Sequence, residues 1–451
     1  MPEQSTSPVA ISPATGRAAL LVIFLTVFID LLGFGIVLPV MPRQAEPYLV
    51  ALGLSPLAIG AVIGVLFSTF SLMQFLFSPL WGRLSDRVGR RPLLLLSLAG
   101  SVVFYALYAV AVTVPTDPVP SRERAALAIG LMLLSRIGAG IAGASVGTAA
   151  AVIADCTTPQ NRARGMALIG IAFGGGFTLG PLIAYFGLAL FRQQPWGVGA
   201  IASALSLVAL LIAIAVFRET RPAGAAGERR RSGLGRMASV LAMPAVGSLV
   251  LVYFLSIVAF ANFEATLARL TESAFGMNDN DNFLVFAFIG LMLLLAGGAY
   301  RPLAKRFPEQ RMLAAGIGLL IVGLGLLGLI AWWVYRDPAA GSSRGLMVLF
   351  YVAAAVAVTG FACVNPSVSA LISRQADAAR QGEVLGVNQS FASLGRIIGP
   401  FCGSFLFGLH PSHVLPFVVA VAVLVVVAFL AVRLRASVSA GDTPAGGASL
   451  H

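Results

Sequence analysis

Three ionisable residues lie where the chain is otherwise almost wholly apolar. Asp30 interrupts "AALLVIFLTVFIDLLGFGIVLPV", Arg136 interrupts "LAIGLMLLSRIGAGIAGASV" and Glu264 interrupts "VYFLSIVAFANFEATLARL". An ionised side chain at the centre of a bilayer costs roughly 2.5–3.5 kcal/mol on insertion scales, so one that is retained is a functional candidate. A carboxyl that exchanges its proton with water can couple a proton gradient to the movement of another solute. Asp30 and Glu264 are the candidates for that chemistry, with Arg136 as partner or modulator. The alternative for Asp30 is purely structural, a pair with Arg136 or with backbone donors. Glu264, in the outer half of its segment, faces either a cavity or the outer vestibule.

Other chemistries lack their residues. Cys156, Cys363 and Cys402 have no metal or disulfide spacing, and the histidines are His410, His413 and His451. An integral-membrane enzyme would need a nucleophile–base pair or metal ligands at depth. No metal or organic cofactor is expected, and the chain is not read as an enzyme.

The elements that carry these charges follow from composition. The chain has 451 residues, 58% of them hydrophobic and 11% charged. Soluble domains run near 45–50% and 25%, so this is an all-α polytopic membrane protein. Apolar runs near 20 residues recur, the length that crosses a hydrocarbon core of about 30 Å. Twelve spans are read, near 18–41, 56–80, 92–113, 125–153, 163–191, 197–217, 239–268, 283–303, 311–335, 345–372, 384–409 and 413–432. They fall into two six-helix halves, 18–217 and 239–433, joined by the hydrophilic linker 218–238. Residues 1–17 and 434–451 read as disordered tails, the first without the basic start of a signal peptide.

Charge sets the expected topology. Twenty-one basic residues fall in one set of connections and termini, and six in the other. The positive-inside rule then places both termini in the cytoplasm, with the protein in the cytoplasmic membrane. The net charge of +12 is thereby explained without nucleic acid. The halves also repeat. At an offset of 219 residues, Leu84 and Arg87 meet Leu303 and Arg306, and Gly180-Pro181 meets Gly399-Pro400. Internal repeats of this kind mark secondary transporters whose substrate site lies between the repeats, near the midplane.

The densest charge cluster is "GRLSDRVGRRP" at 82–92, between the second and third spans. It reads as a tight packed turn. Gly82 would allow close helix approach, Gly89 a positive φ, and Pro92 would open the third helix. Asp86 would accept from an arginine or from a helix N-terminus. With Gly82, Leu84, Asp86, Arg87, Gly89, Arg90 and Arg91 in place, the loop resembles the signature loop of the major facilitator superfamily. That resemblance implies an inner gate, whose acid pairs across the halves and stabilises the outward-open state. "FIDLLGFGIVLPVMP" (28–42) and "LLSRIGAGIAGASVGTAAAVIAD" (133–155) resemble the first and fourth helices of the drug/proton antiporter branch, especially tetracycline efflux proteins. "GGFTLGPLIAY" (175–185) resembles that branch's fifth-helix antiporter motif at Gly175, Gly180 and Pro181, with Ala184 and Tyr185 where the pattern has two glycines. The acids those exporters carry in the third and ninth spans, and their eighth-span histidine, have no counterpart here.

The function expected is a secondary active transporter working by alternating access, a proton-coupled exporter of amphiphilic drugs powered by the proton gradient. A metabolite symporter or uniporter of the same superfamily is the alternative. The partners expected are a small-molecule substrate, protons and the lipid bilayer, and a monomer is expected. Phe34, Phe67, Phe70, Phe254, Phe260 and Phe263 are aromatic candidates for a cavity. Asn262, Asn365, Asn388 and Gln389 are polar residues at helix depth, able to bond a substrate or join helices. Arg396 could meet a phospholipid, an anionic substrate or Asp86.

Overall fold

The computed structural model describes residues 13–116, 118–145, 148–149, 152–153, 156–157, 162–220, 233–375 and 381–441. The described residues are almost entirely helical. In chain order the helices are α1 (Pro13–Val37), α2 (Met41–Ala51), α3 (Pro56–Val88), α4 (Arg90–Ala111), α5 (Arg122–Ala142), α6 (Arg162–Leu190) and α7 (Gly197–Val216). They continue as α8 (Gly233–Leu241), α9 (Pro244–Phe275), α10 (Asp279–Ala304), α11 (Glu309–Arg336), α12 (Arg344–Gln375), α13 (Gln381–Leu409) and α14 (Leu415–Gly441). Among the described residues, eleven helices contain segments long and apolar enough to cross a membrane, and α6 contributes the apolar stretch Thr178–Leu190. With α6 these are the twelve spans. In lipid every backbone N–H and C=O needs an internal partner, and a helix supplies those partners within one segment.

Two short helices were not foreseen. The sequence of α2 carries two prolines and two charges in eleven residues and reads as outer loop. It folds because Met41, Gln44, Tyr48 and Leu49 form a buried face. Burial pushes the Tyr48 hydroxyl above its ordinary range, and the group donates to Val114 O at 2.7 Å. The second is α8, which starts in the stretch read as linker and ends in the one read as the seventh span; its Met237 and Leu241 pack on the core that Val240 joins. The expected tails also shrink. Helix α1 begins at Pro13 and α14 runs to Gly441.

The chain forms two compact units. Unit 1 comprises 1–55, 65–230 and 277–290; unit 2 comprises 56–64, 231–276 and 291–451. These are not the two sequence halves, because the starts of α3 and α10 are exchanged. In unit 1 the start of α10 is held by an Arg43–Asp279 ion pair at 2.8 Å and an Asn280–Gln193 hydrogen bond at 3.0 Å. In unit 2 the start of α3 packs on α13 through glycine. A methyl at Gly60 would clash with Ser404 O, and one at Gly64 would meet Phe401 Cα at 2.9 Å.

Candidate functional site

In unit 1 the charged stretch 82–92 is mostly helix. Helix α3 continues through Gly82 to Val88, and only Gly89, at φ 112°, breaks the path before α4. The N–H groups of Arg90 and Arg91 donate to the Glu219 carboxylate at 2.9 and 3.1 Å. An acid at a helix start complements both its free N–H groups and its dipole. A methyl at Gly89 would lie 2.5 Å from Glu219 Oε2, a second reason for glycine there. The acid on the helix start is therefore Glu219, not Asp86, which instead accepts from Arg90 Nη1 at 2.6 Å. Arg90 Nη1 also donates to Ser85 Oγ, and Arg91 Nη2 donates to Ile214 O at 3.0 Å. Leu84 and Arg87 are exposed. Two details of the sequence reading are corrected. Gly82 makes no close approach, since a methyl there would meet nothing within 4 Å, and Pro92 is the third residue of α4 rather than the first. Glu219 itself went unforeseen; the signal was an acid placed just past the sixth span.

Arg136 is 1% exposed on α5, with its guanidinium carbon 4.7 Å from the centre of the Phe70 ring. Tyr105 and Tyr108 are its electrostatic neighbours. Tyr108 donates to Gln44 Oε1 at 2.6 Å, linking this interior to α2. Two turns beyond Arg136 the helix tightens into a 3-10 segment, Gly143–Ser145. The carbonyls there find side-chain donors. Gln74 reaches Gly143 O at 2.9 Å, Ser97 reaches Ala142 O at 2.7 Å, Ser78 reaches Ala144 O at 3.4 Å and Trp81 reaches Ile141 O. Irregular backbone at membrane depth is tolerated only with such replacement partners or beside a cavity. Gln74, Trp81 and Ser97 were not read from sequence, because their partners are backbone atoms of another helix. The side chains of Asp30 and Phe34, on α1, lie outside the described ones.

The antiporter-like stretch packs α6 on α1. A methyl at Gly176 would meet Leu31 Cβ at 2.9 Å; at Gly180 it would meet Gly35 C and Leu32 O at 3.0 Å; at Gly175 it would meet Phe28 at 3.2 Å. Pro181 follows within the helix, and Ala184 is fully buried. Tyr185 is half-buried, set edge-on to Phe186, and does not stop the close packing one turn earlier.

Unit 2 holds the other predicted acid. Glu264 on α9 is half-buried, and its electrostatic partner is Arg396 on α13, which also feels Tyr253. The two charges are coupled through space, yet no ion pair closes between them within 4.0 Å. A second cation, Arg269, is 8% exposed and lies 4.5 Å over the Phe407 ring. That ring stacks on His413 at 3.9 Å.

The tentative cavity residues scatter. Phe67 and Phe263 are buried within their own units. Asn262 is 2% exposed and ties α9 to α14 by donating to Pro416 O at 3.0 Å, a helix-joining role. Asn365 and Gln389 are exposed, whereas Asn388 is buried, its Oδ1 lacking a partner among the described residues. Phe260 stacks on Phe361 at 3.8 Å, and Phe254 meets Phe391 edge-on. None of these residues lines the cavity found in unit 2, which opens elsewhere between α9, α11, α12 and α14.

A family model described as Major Facilitator Superfamily matches residues 23–400, most of the chain. The chain belongs to the Major Facilitator Superfamily. It is a transporter of that superfamily and not an enzyme. Among its relatives, a mouse protein named major facilitator superfamily domain-containing protein 10 is 29% identical over 90% of this chain and 91% of its own. The class E tetracycline resistance protein of Escherichia coli is 30% identical over 84% and 86%. The crystal structure of the human organic anion transporter MFSD10 is similar with a TM-score of 0.59 at 27% identity, covering 93% of this chain and all of that one. The superfamily assignment agrees with the twelve spans and the multi-pass embedding in a membrane.

Proposed function

We propose that this transporter exports an amphiphilic small molecule in exchange for protons across the cytoplasmic membrane, with both termini in the cytoplasm. The observation that carries the reading is the charge pair on α9 and α13. Glu264 and Arg396 are electrostatic neighbours with no ion pair between them within 4.0 Å, and in this reading the carboxyl exchanges a proton while the guanidinium answers the change. Asp30 on α1 is the second proton carrier in this reading. Similarity to tetracycline resistance proteins supports it.

An organic anion is a second cargo class to test, suggested by the similarity to the human organic anion transporter.

The test is uptake into proteoliposomes with pH gradients of both signs, using tetracycline and a panel of organic anions. Uphill exchange should follow the proton gradient and vanish in Asp30→Asn and Glu264→Gln, with both variants still folded. Undiminished gradient-driven transport in both variants would reject proton coupling. A cargo that moves equally under either gradient would favour a uniporter.

A further inference from the structure

We propose that unit 2 carries a binding site for an anionic phospholipid of the cytoplasmic leaflet, separate from the transport pathway. It is a crevice of about 240 Å³ between α9, α11, α12 and α14. Its shape follows the helix ends. Gln310 is the second residue of α11 and Gln375 the last of α12, so both amides stand at one mouth. From there the lining runs inward along one face of α11 to Ile321, with Leu249 and Ala428 opposite. Eleven residues of helix rise about 16 Å. That matches one leaflet of the hydrocarbon core, about 15 Å.

The crevice thus has polar groups only at its mouth and an apolar interior one acyl chain deep. The mouth lies on the arginine-rich side that the basic-residue count assigns to the cytoplasm. Arg311 follows Gln310, Arg433 follows the lining residue Val432, and both are exposed. Glu309, the nearest acid in sequence, is taken by Arg374. Neither Arg311 nor Arg433 has a carboxylate partner among the described residues. Arg433 lies over Phe429 at 4.4 Å, its stem along the apolar surface and its charge at the rim, as a cation at a membrane interface does. Anionic lipid attracts such cations at the cytoplasmic surface. An acyl chain in the crevice and a phosphate at the two arginines together satisfy both halves of the site. The wall can also be filled without a clash. A methyl at Gly318, which lines the crevice, would meet nothing within 4 Å.

The experiment uses the full chain in phosphatidylcholine nanodiscs, with a trace of phosphatidylglycerol bearing a photoactivatable group on one acyl chain. The control is phosphatidylcholine bearing the same group. Cross-links should concentrate in 310–321 and 428–432, with roughly tenfold preference for phosphatidylglycerol. Arg311→Gln with Arg433→Gln should remove the preference and leave labelling by phosphatidylcholine unchanged. Gly318→Leu, which also favours helix, should abolish labelling there by both lipids and leave labelling elsewhere intact. Equal labelling by the two lipids, or labelling indifferent to Gly318→Leu, would show bulk lipid contact and overturn the site. Displacement of the phosphatidylglycerol probe by a transported amphiphile would identify a substrate portal and overturn it too.

Discussion

The seam between α1 and α6 in unit 1 and the seam between α9 and α13 in unit 2 are built alike and furnished differently. Gly176 sits on Leu31, and Gly395 sits on Ile257; Gly180 sits on Leu32, Gly35 and Ile36, and Gly399 sits on Val258, Ala261 and Asn262. The Gly176–Leu31 contact and the three of Gly180 map onto those of Gly395 and Gly399, at a constant step of 219 residues on one helix and 226 on the other. Close approach needs small residues a turn apart, and glycine lets helix backbones touch in a medium that gives no hydrophobic drive. The chemistry beside those glycines is not repeated. Asp30 precedes Leu31, whereas Ser256 precedes Ile257 and bonds its own helix at Val252 O. Phe177 follows Gly176, whereas Arg396 follows Gly395. The packing at these glycines is thus alike, while the residue beside Leu31 is the acid Asp30 and the residue beside Gly395 is the cation Arg396. Duplicated architecture positions the two groups, and divergence at single neighbouring residues decides what each does.

The largest effect that would break this equivalence is overpacking. Gly399→Val places a methyl 2.7 Å from Val258 O, and Gly180→Val places one 3.0 Å from Leu32 O. Both should lower thermal stability in detergent by about 1–3 kcal/mol or more, with Gly399→Val the worse. Equal tolerance of valine at both would show that the seams are not close-packed equivalents.

The chemical asymmetry is tested next. Arg396→Gln should lower apparent affinity for an organic anion by roughly tenfold or more, the worth of a hydrogen bond to a charged group, about 1.5–3 kcal/mol. Phe177→Leu at the matching place should leave it unchanged in the same concentration series. A similar loss from both would assign the effect to helix packing.

Glu219→Gln removes the charge from the start of α4. A loss of about 1 kcal/mol in unfolding free energy is expected, smaller in high salt because charge–dipole terms are screened. No change at either salt concentration would remove Glu219 from that role.

The smallest effect expected is from Ala184→Gly, which restores the family-like residue in the first seam. It should cost about 1 kcal/mol of helix propensity and leave transport rates alone. A gain in transport would mean that the seam must flex at Ala184, where the second seam has Gly403 against Asn262.

The sequence by itself determined the helical class, the spans, the repeat and the family-like loop, because each rests on local length, hydropathy or spacing. Its offset of 219 residues from Gly180 to Gly399 already contained the shared seam. It also isolated Glu264, since one acid in an apolar run is conspicuous. Only the tertiary structure decided which partner each group meets. Glu219 lies 129 positions from the backbone amide of Arg90 that it caps, and Gln74 lies 69 from the carbonyl it satisfies. Asn262 read equally as a substrate contact or a helix tie, and the structure has it donating to Pro416 O, because an amide at depth looks the same in sequence whether its partner is cargo or a carbonyl. Helix α2 was hidden for a similar reason: its buried face exists only where α4 and α5 receive it. Local propensity writes the elements, and burial against a distant surface assigns their side chains.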